Sequence, residues 1–328
     1  MPLRARVAPA IALFLIAPMD AEFLMGNMAI SDVPVLISTI PLYGAGALVI
    51  REAARRTGRG WPAMLAFALA YGMFEEAFFT QTLWNENWYH VRILDYGYVP
   101  ALGTGLPWVM FMAGVHTIWS ISVPIAIAET LAGPRRTTPW LKKRGFWALA
   151  VFFALYFVGG AVGQMVLIGL FAGPAQYIGA AVVVVALVLL GLRLRRGAPT
   201  VEGRAPGPWA VFAFALVAGA IFVLLYAVDP TGLSPWLAIP IPAWVSVLIY
   251  LALFATVGVL VRRWSHRSGW SDAHRLALAA GAMLTYAWHS FPWKVIVPAS
   301  QAADLTSNAI MTVGAVVLLV IAARRVST

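Results

Sequence analysis

The chain has 328 residues, of which 61% are hydrophobic and only 11% charged. Soluble domains carry roughly 25% charged residues, so this deficit excludes a soluble globular protein and marks a polytopic membrane protein. The absence of cysteine excludes disulfides, thiol catalysis and thiolate metal sites, and the net charge of +10 is dispersed in short basic segments between apolar runs, which argues against a nucleic-acid partner.

Ten apolar runs of about 20 residues are long enough to cross a bilayer as helices. They lie near 8–26, 33–50, 61–83, 106–131, 146–172, 175–193, 208–228, 240–261, 273–292 and 305–323. The pattern predicts an all-α, multi-pass fold in which residues 1–328 form a single transmembrane domain. The basic clusters Arg4/Arg6, Arg51–Arg59, Arg135–Arg144, Arg193–Arg204, Arg262–Arg275 and Arg324/Arg325 fall on one side of that topology, with only Arg92 and Lys294 on the other. This asymmetry predicts a cell-membrane protein with both termini in the cytoplasm, whose basic segments meet the headgroups of membrane lipids. The basic start and apolar centre of the first run could pass for a signal peptide; it reads as a retained signal-anchor helix.

The first helix carries Pro18, Asp20 and Glu22 inside its apolar run. A kinked end with acids at headgroup depth and a cavity-lining role weigh equally there. The second, with Pro34, Pro41, Gly44 and Gly46, reads as a packing helix. The third enters at Trp61, and at 1.5 Å per residue Glu75 lies about 21 Å in, past the middle of a hydrocarbon core about 30 Å thick. Glu75 and Glu76 are 100° apart on the helix, Thr80 lies one turn beyond, and Gln81, Asn85, Glu86 and Asn87 continue a polar ramp. A carboxylate at the centre of a membrane helix costs about 2.5–3.5 kcal/mol on insertion scales, so the adjacent pair needs a reason.

The connection from Trp84 to Gly105 is long, and its Trp84, Trp88, Tyr89, Tyr96 and Tyr98 fit an interfacial aromatic belt, with a lid over the carboxylates as the alternative. In the fourth helix His116 reaches a depth about one turn from that of Glu75, followed by Ser120 and Pro124. Glu129, near the far end beside Arg135 and Arg136, reads as part of a solvated ion pair. The helices across 146–261 read as scaffold, with Gln164 their main buried polar residue and Gly159, Gly160 and Gly163 packing small. In the ninth helix Tyr286, His289 and Trp293 form one stripe, and His289 reads either as an interfacial residue or as a contributor from 273–292.

Glu75, Glu76, His116 and, less directly, His289 and Glu22 thus converge on one membrane level. Paired acids away from water repel each other and lose hydration, so the set needs a counter-charge, a proton or donors. Four uses satisfy that need: a divalent metal held by Glu75, Glu76 and His116, general-base activation of water, a proton or cation relay, or simple hydrogen bonding between helices. The residues leave a metal and no cofactor at all equally open.

Glu75-Glu76 on one membrane helix with His116 on the next resembles the CPBP family of intramembrane proteases, relatives of the CAAX prenyl endopeptidase. Thr80 and Met112 stand where that family has Arg and Phe, and His289 comes five helices later. The resemblance implies that Glu75 activates water, that Glu76 supports it, and that His116 and His289 polarise the carbonyl of a peptide or lipid-linked substrate. The expected functions are therefore a CPBP-like membrane hydrolase, a proton- or cation-coupled transporter using the same acids, or a non-catalytic membrane assembly protein.

Overall fold

The structure, a computed structural model, describes residues 3–88, 92–194, 200–227, 241–293 and 299–327. Tyr89, His90, Arg195, Arg196, Lys294 and the connection at 229–236 lie outside them. The described chain is an all-α polytopic membrane bundle, with one two-residue hairpin pairing Tyr98–Val99 with Thr104–Gly105. Its helices are α1 (Leu3–Pro18), α2 (Val33–Thr39), α3 (Gly46–Arg56), α4 (Trp61–Phe74), α5 (Leu106–Gly114), α6 (Val123–Ala132), α7 (Lys143–Ile168), α8 (Pro174–Arg193), α9 (Pro208–Ala227), α10 (Ala243–Ser265), α11 (Asp272–His289) and α12 (Gln301–Ser327). Short π-helical turns join α2 to α3 and α5 to α6, so the twelve helices make ten rods at the positions of the ten apolar runs. Eight rods are long and apolar enough to cross a membrane; the other two are those of α4, which carries the glutamates, and α11.

The interior is divided between two apolar clusters. One is an aromatic stack in which Phe111 lies 4.1 Å from Tyr226 and 5.1 Å from Phe222, and Trp119 lies 4.8 Å from Tyr286. The other gathers α1, α3, α4 and α6 around Leu13, Ala47, Met64 and Ile125. Helices α7, α8 and α10 stand at the periphery and turn aliphatic side chains outward, as with Leu167 at 83% exposure. That surface is what a lipid-facing helix presents, because lipid tails solvate it as well as protein does. Gln164 is only half-buried there, and a Cβ on Gly159 or Gly163 would meet nothing, since the row faces away from the bundle; Gly160 alone packs closely, on Phe79.

The second rod departs from a plain packing helix. It runs on to Arg56 and buries an ion network at the basic end of the bundle. Glu129 accepts from Arg51 Nε at 3.1 Å and from Arg55 Nε at 2.7 Å, while Glu52 accepts from the backbone N–H of Trp140 at 2.8 Å. The Arg51 guanidinium also stacks 3.5 Å from the centre of the Trp140 ring. Glu129 is thus buried with α3 arginines instead of solvated beside Arg135 and Arg136, because α3 passes directly against α6. Removing one partner of such a set leaves uncompensated charge. Glu129→Ala should lower stability by about 3–5 kcal/mol, read as thermal unfolding in detergent micelles. Glu86→Ala, which removes an exposed pair with Arg92, should leave the transition where it is.

Candidate functional site

The described chain contains four π-helical turns, at Met19–Leu24, Ile40–Ala45, Glu75–Phe79 and Val115–Ser122. Each supplies one or two members of a single buried polar cluster: Glu22, Tyr43, Glu75 with Glu76, and His116. A π turn closes its hydrogen bond one residue later than an α turn, which widens the helix locally and re-aims the side chains beyond it. Prolines precede or open two of these turns, at Pro18 and Pro41, where the missing N–H interrupts the α pattern.

His116 stands between the paired acids. Its Nε2 lies 2.7 Å from Glu76 Oε1, and its Nδ1 lies 3.3 Å from both Glu75 Oε2 and Ser120 Oγ. The second oxygen of Glu76 accepts from Thr80 Oγ1 at 3.3 Å and from the hydroxyl of Thr82, which itself accepts from Trp108 Nε1 at 3.0 Å. Glu76 therefore has donors on both oxygens and fixes one edge of the imidazole. Glu75 Oε2 has no hydrogen-bond donor of ordinary geometry.

On the other flank the Tyr43 hydroxyl is 2.5 Å from Glu22 Oε1 and 2.9 Å from Glu75 Oε1. A phenol has one hydrogen, so both contacts are hydrogen bonds only when one of the two acids carries a proton. Asn27 Nδ2 donates to Glu22 Oε2 at 2.9 Å, and Asn27 Oδ1 accepts from Trp293 Nε1 at 2.8 Å. The result is a continuous polar string from Trp293 through Asn27, Glu22, Tyr43, Glu75, His116, Glu76 and Thr82 to Trp108. Rings seal it: Tyr43 stacks on His116 at 6.2 Å and 9°, and Tyr71 meets the imidazole edge-on at 6.1 Å. Gly72 allows this approach, for a Cβ there would fall 2.5 Å from His116 Cβ.

Glu75, Glu76, His116 and Glu22 are brought together, and all are buried. His289 is not joined to them: both its ring nitrogens are buried without a hydrogen bond, and it packs on Trp293 at 5.0 Å. Its helix ends at His289 itself, which is fully buried in the bundle. The third membrane helix ends at Phe79, not Leu83, and the chain turns through Gln81 at φ +57°. Of the polar ramp, Gln81 is folded inward against Tyr177 while Glu86 and Asn87 stay exposed, and the same turn lets Thr82 cap Glu76. In the long connection, Trp84 donates to Ala77 O at 2.9 Å and Tyr96 to Ile241 O at 2.8 Å, so these aromatics tie the segment to the bundle.

Tyr43, Asn27, Thr82 and Trp108 are the members that sequence reasoning missed. In the sequence Tyr43 is one aromatic in an apolar run; its one signal is a phenol between Pro41 and Gly44, where a Cβ on Gly44 would fall 2.2 Å from Phe14 O. Among the described residues no group of three His, Asp or Glu side chains is arranged to hold a metal ion. The carboxylates reach opposite edges of His116 instead of converging on one point, so the donor set as folded does not fit a shared metal.

Fold and site together define a polytopic membrane protein with an acid–imidazole centre enclosed by its helices. Residues 11–328 match the profile of an uncharacterized membrane protein family, and the chain belongs to that family. No curated protein and no solved structure matches it.

Two measurements check the geometry. A double-mutant cycle of Glu76→Gln and His116→Ala should return a coupling energy of about 0.5–3 kcal/mol, since contacting residues are non-additive. Gly72→Ala should destabilise by about 1–3 kcal/mol through overpacking against His116, read by the same unfolding assay.

Proposed function

We propose that the protein is a membrane-embedded hydrolase of CPBP-like chemistry that cleaves a carbonyl-centred bond in a peptide or lipid-linked substrate. The observation that carries this reading is the division of labour around His116. Glu76, satisfied on both oxygens, holds Nε2 at 2.7 Å, while Nδ1 and the donor-free Glu75 Oε2 face each other loosely at 3.3 Å. With Nε2–H donating to Glu76, the proposed state is the imidazolium with a second hydrogen on Nδ1. A water taken up there has an acceptor on one side and that N–H on the other, an arrangement suited to general-base catalysis. In the step that follows, Glu75 takes a proton from the water as its oxygen attacks the carbonyl carbon. The N–H of His116 meets the developing oxyanion, and Glu75 returns the proton to the leaving group as the bond breaks. Glu76 acts as a positioning residue. His289, whose ring is not joined to this set, has no step in the scheme.

An isotope label tests this whatever the substrate is. The purified chain is incubated with total membrane extract in H₂¹⁸O, and products are searched by mass spectrometry for carboxyl groups carrying one ¹⁸O. Wild type should label a discrete product, and Glu75→Gln should reduce its rate by about 10²–10⁴-fold. Identical labelling by wild type and variant overturns the reading.

A second reading, a proton- or cation-coupled transporter, is favoured by the Tyr43 hydroxyl shared between Glu22 and Glu75, which passes a proton between acids without a large movement. Proton flux in liposomes that Tyr43→Phe abolishes would support it in place of hydrolysis.

The placement of the arginines supports a cell-membrane orientation with the basic end, and both termini, in the cytoplasm. The chain has no cysteine, so single cysteines report this directly. With a membrane-impermeant maleimide on intact cells, Asn87→Cys should label and Thr137→Cys should not.

A further inference from the structure

A second polar feature lies apart from the string just described. Asp20, in the same π-helical turn as Glu22, is 1% exposed, and neither of its carboxyl oxygens has a hydrogen-bond partner. It lines a cavity of about 220 Å³ between α1, α11 and α12, whose other walls include Ile16, Met19, Met283, Met311 and Gly314. The cavity is smaller than the roughly 300–1,000 Å³ of pockets that hold drug-sized ligands, so it suits one alkyl chain and no whole bilayer lipid. Three methionines give it walls that re-pack around an irregular chain.

A purely hydrocarbon occupant satisfies those walls and leaves the carboxyl orphaned, an arrangement that buried polar groups avoid. A carboxylate or phosphate head sets like charge against an ionised Asp20 and shares at most one hydrogen with a protonated one. A cationic head with several N–H donors answers both oxygens and the charge at once. We infer that this cavity is a binding site for a single-chain amphiphile with a primary amine head, its chain among the methionines and its nitrogen on Asp20. The inference is independent of the hydrolase reading, since it concerns binding at Asp20 and no turnover at Glu75.

The experiment is the thermal unfolding of the full chain in lipid nanodiscs, titrated with dodecylamine or with dodecanoic acid. Dodecylamine should raise the transition with saturation, and dodecanoic acid should not. Asp20→Asn should weaken the amine by about tenfold or more, the loss expected of a charge-assisted hydrogen bond. Gly314→Leu serves as the second variant, because a Cβ there meets nothing within 4 Å and a longer side chain at this lining position takes space the alkyl chain would occupy. It should abolish the shift without lowering the unliganded transition, since leucine is the better helix former. Equal stabilisation by the two amphiphiles, which is an unselective lipid-filled groove, overturns the inference. So does an amine response that survives both substitutions, or that survives Gly314→Leu where Asp20→Asn does not fold.

Discussion

Three carboxyl groups and an imidazole share one small volume inside a bundle whose outer surface is hydrocarbon, and that constraint organises the rest. Water is not at hand to hydrate them, so each oxygen needs a donor from protein. The donors come from every side. Thr80, Thr82 and His116 serve Glu76, the single Tyr43 hydrogen serves one of Glu22 and Glu75 while the other is joined through a proton of its own, and Asn27 completes Glu22. Trp108 and Trp293 then anchor the two ends of the string in the aromatic core. Packing and polarity are therefore one system: the aromatic stack that fills the bundle also orients the groups that keep the acids tolerable.

The ion network at the basic end meets the same constraint differently. There Arg51 and Arg55 supply full positive charge to Glu129 and Glu52, and further backbone donors close the set. Every charge has an opposite neighbour, which fits a clamp that fastens α3 to α6 and the following connection. The cluster around His116 has more acids than bases and keeps one oxygen without a donor. That imbalance distinguishes the two clusters, and it is the feature on which the proposed function rests.

Much of this was legible in the sequence, and for identifiable reasons. Apolar run length marks membrane helices because the bilayer sets it, so the ten rods fall where hydropathy places them. The Glu75-Glu76 pair and His116 stand out because ionisable groups are costly in such runs, and rise per residue brings them to one depth. What escaped is what a regular 3.6-residue period cannot express. The turn at 40–45 rotates Tyr43 toward the acids, and Gln81 ends the third rod early enough for Thr82 to fold back on Glu76. The burial of Glu129 escaped because its partners lie 74 and 78 residues away, on a helix whose path past α6 only packing determines.

The late-closing turns have a further implication for how such a centre arises. A stretch that spans a bilayer is selected for length and oiliness, and neither property changes when one residue is slipped into its middle. The slip alters only the angle at which everything downstream looks inward. A polar centre assembled from four such phase shifts can be moved, retuned or dismantled codon by codon, while the hydrophobic spans that carry the chain through the lipid stay as they were.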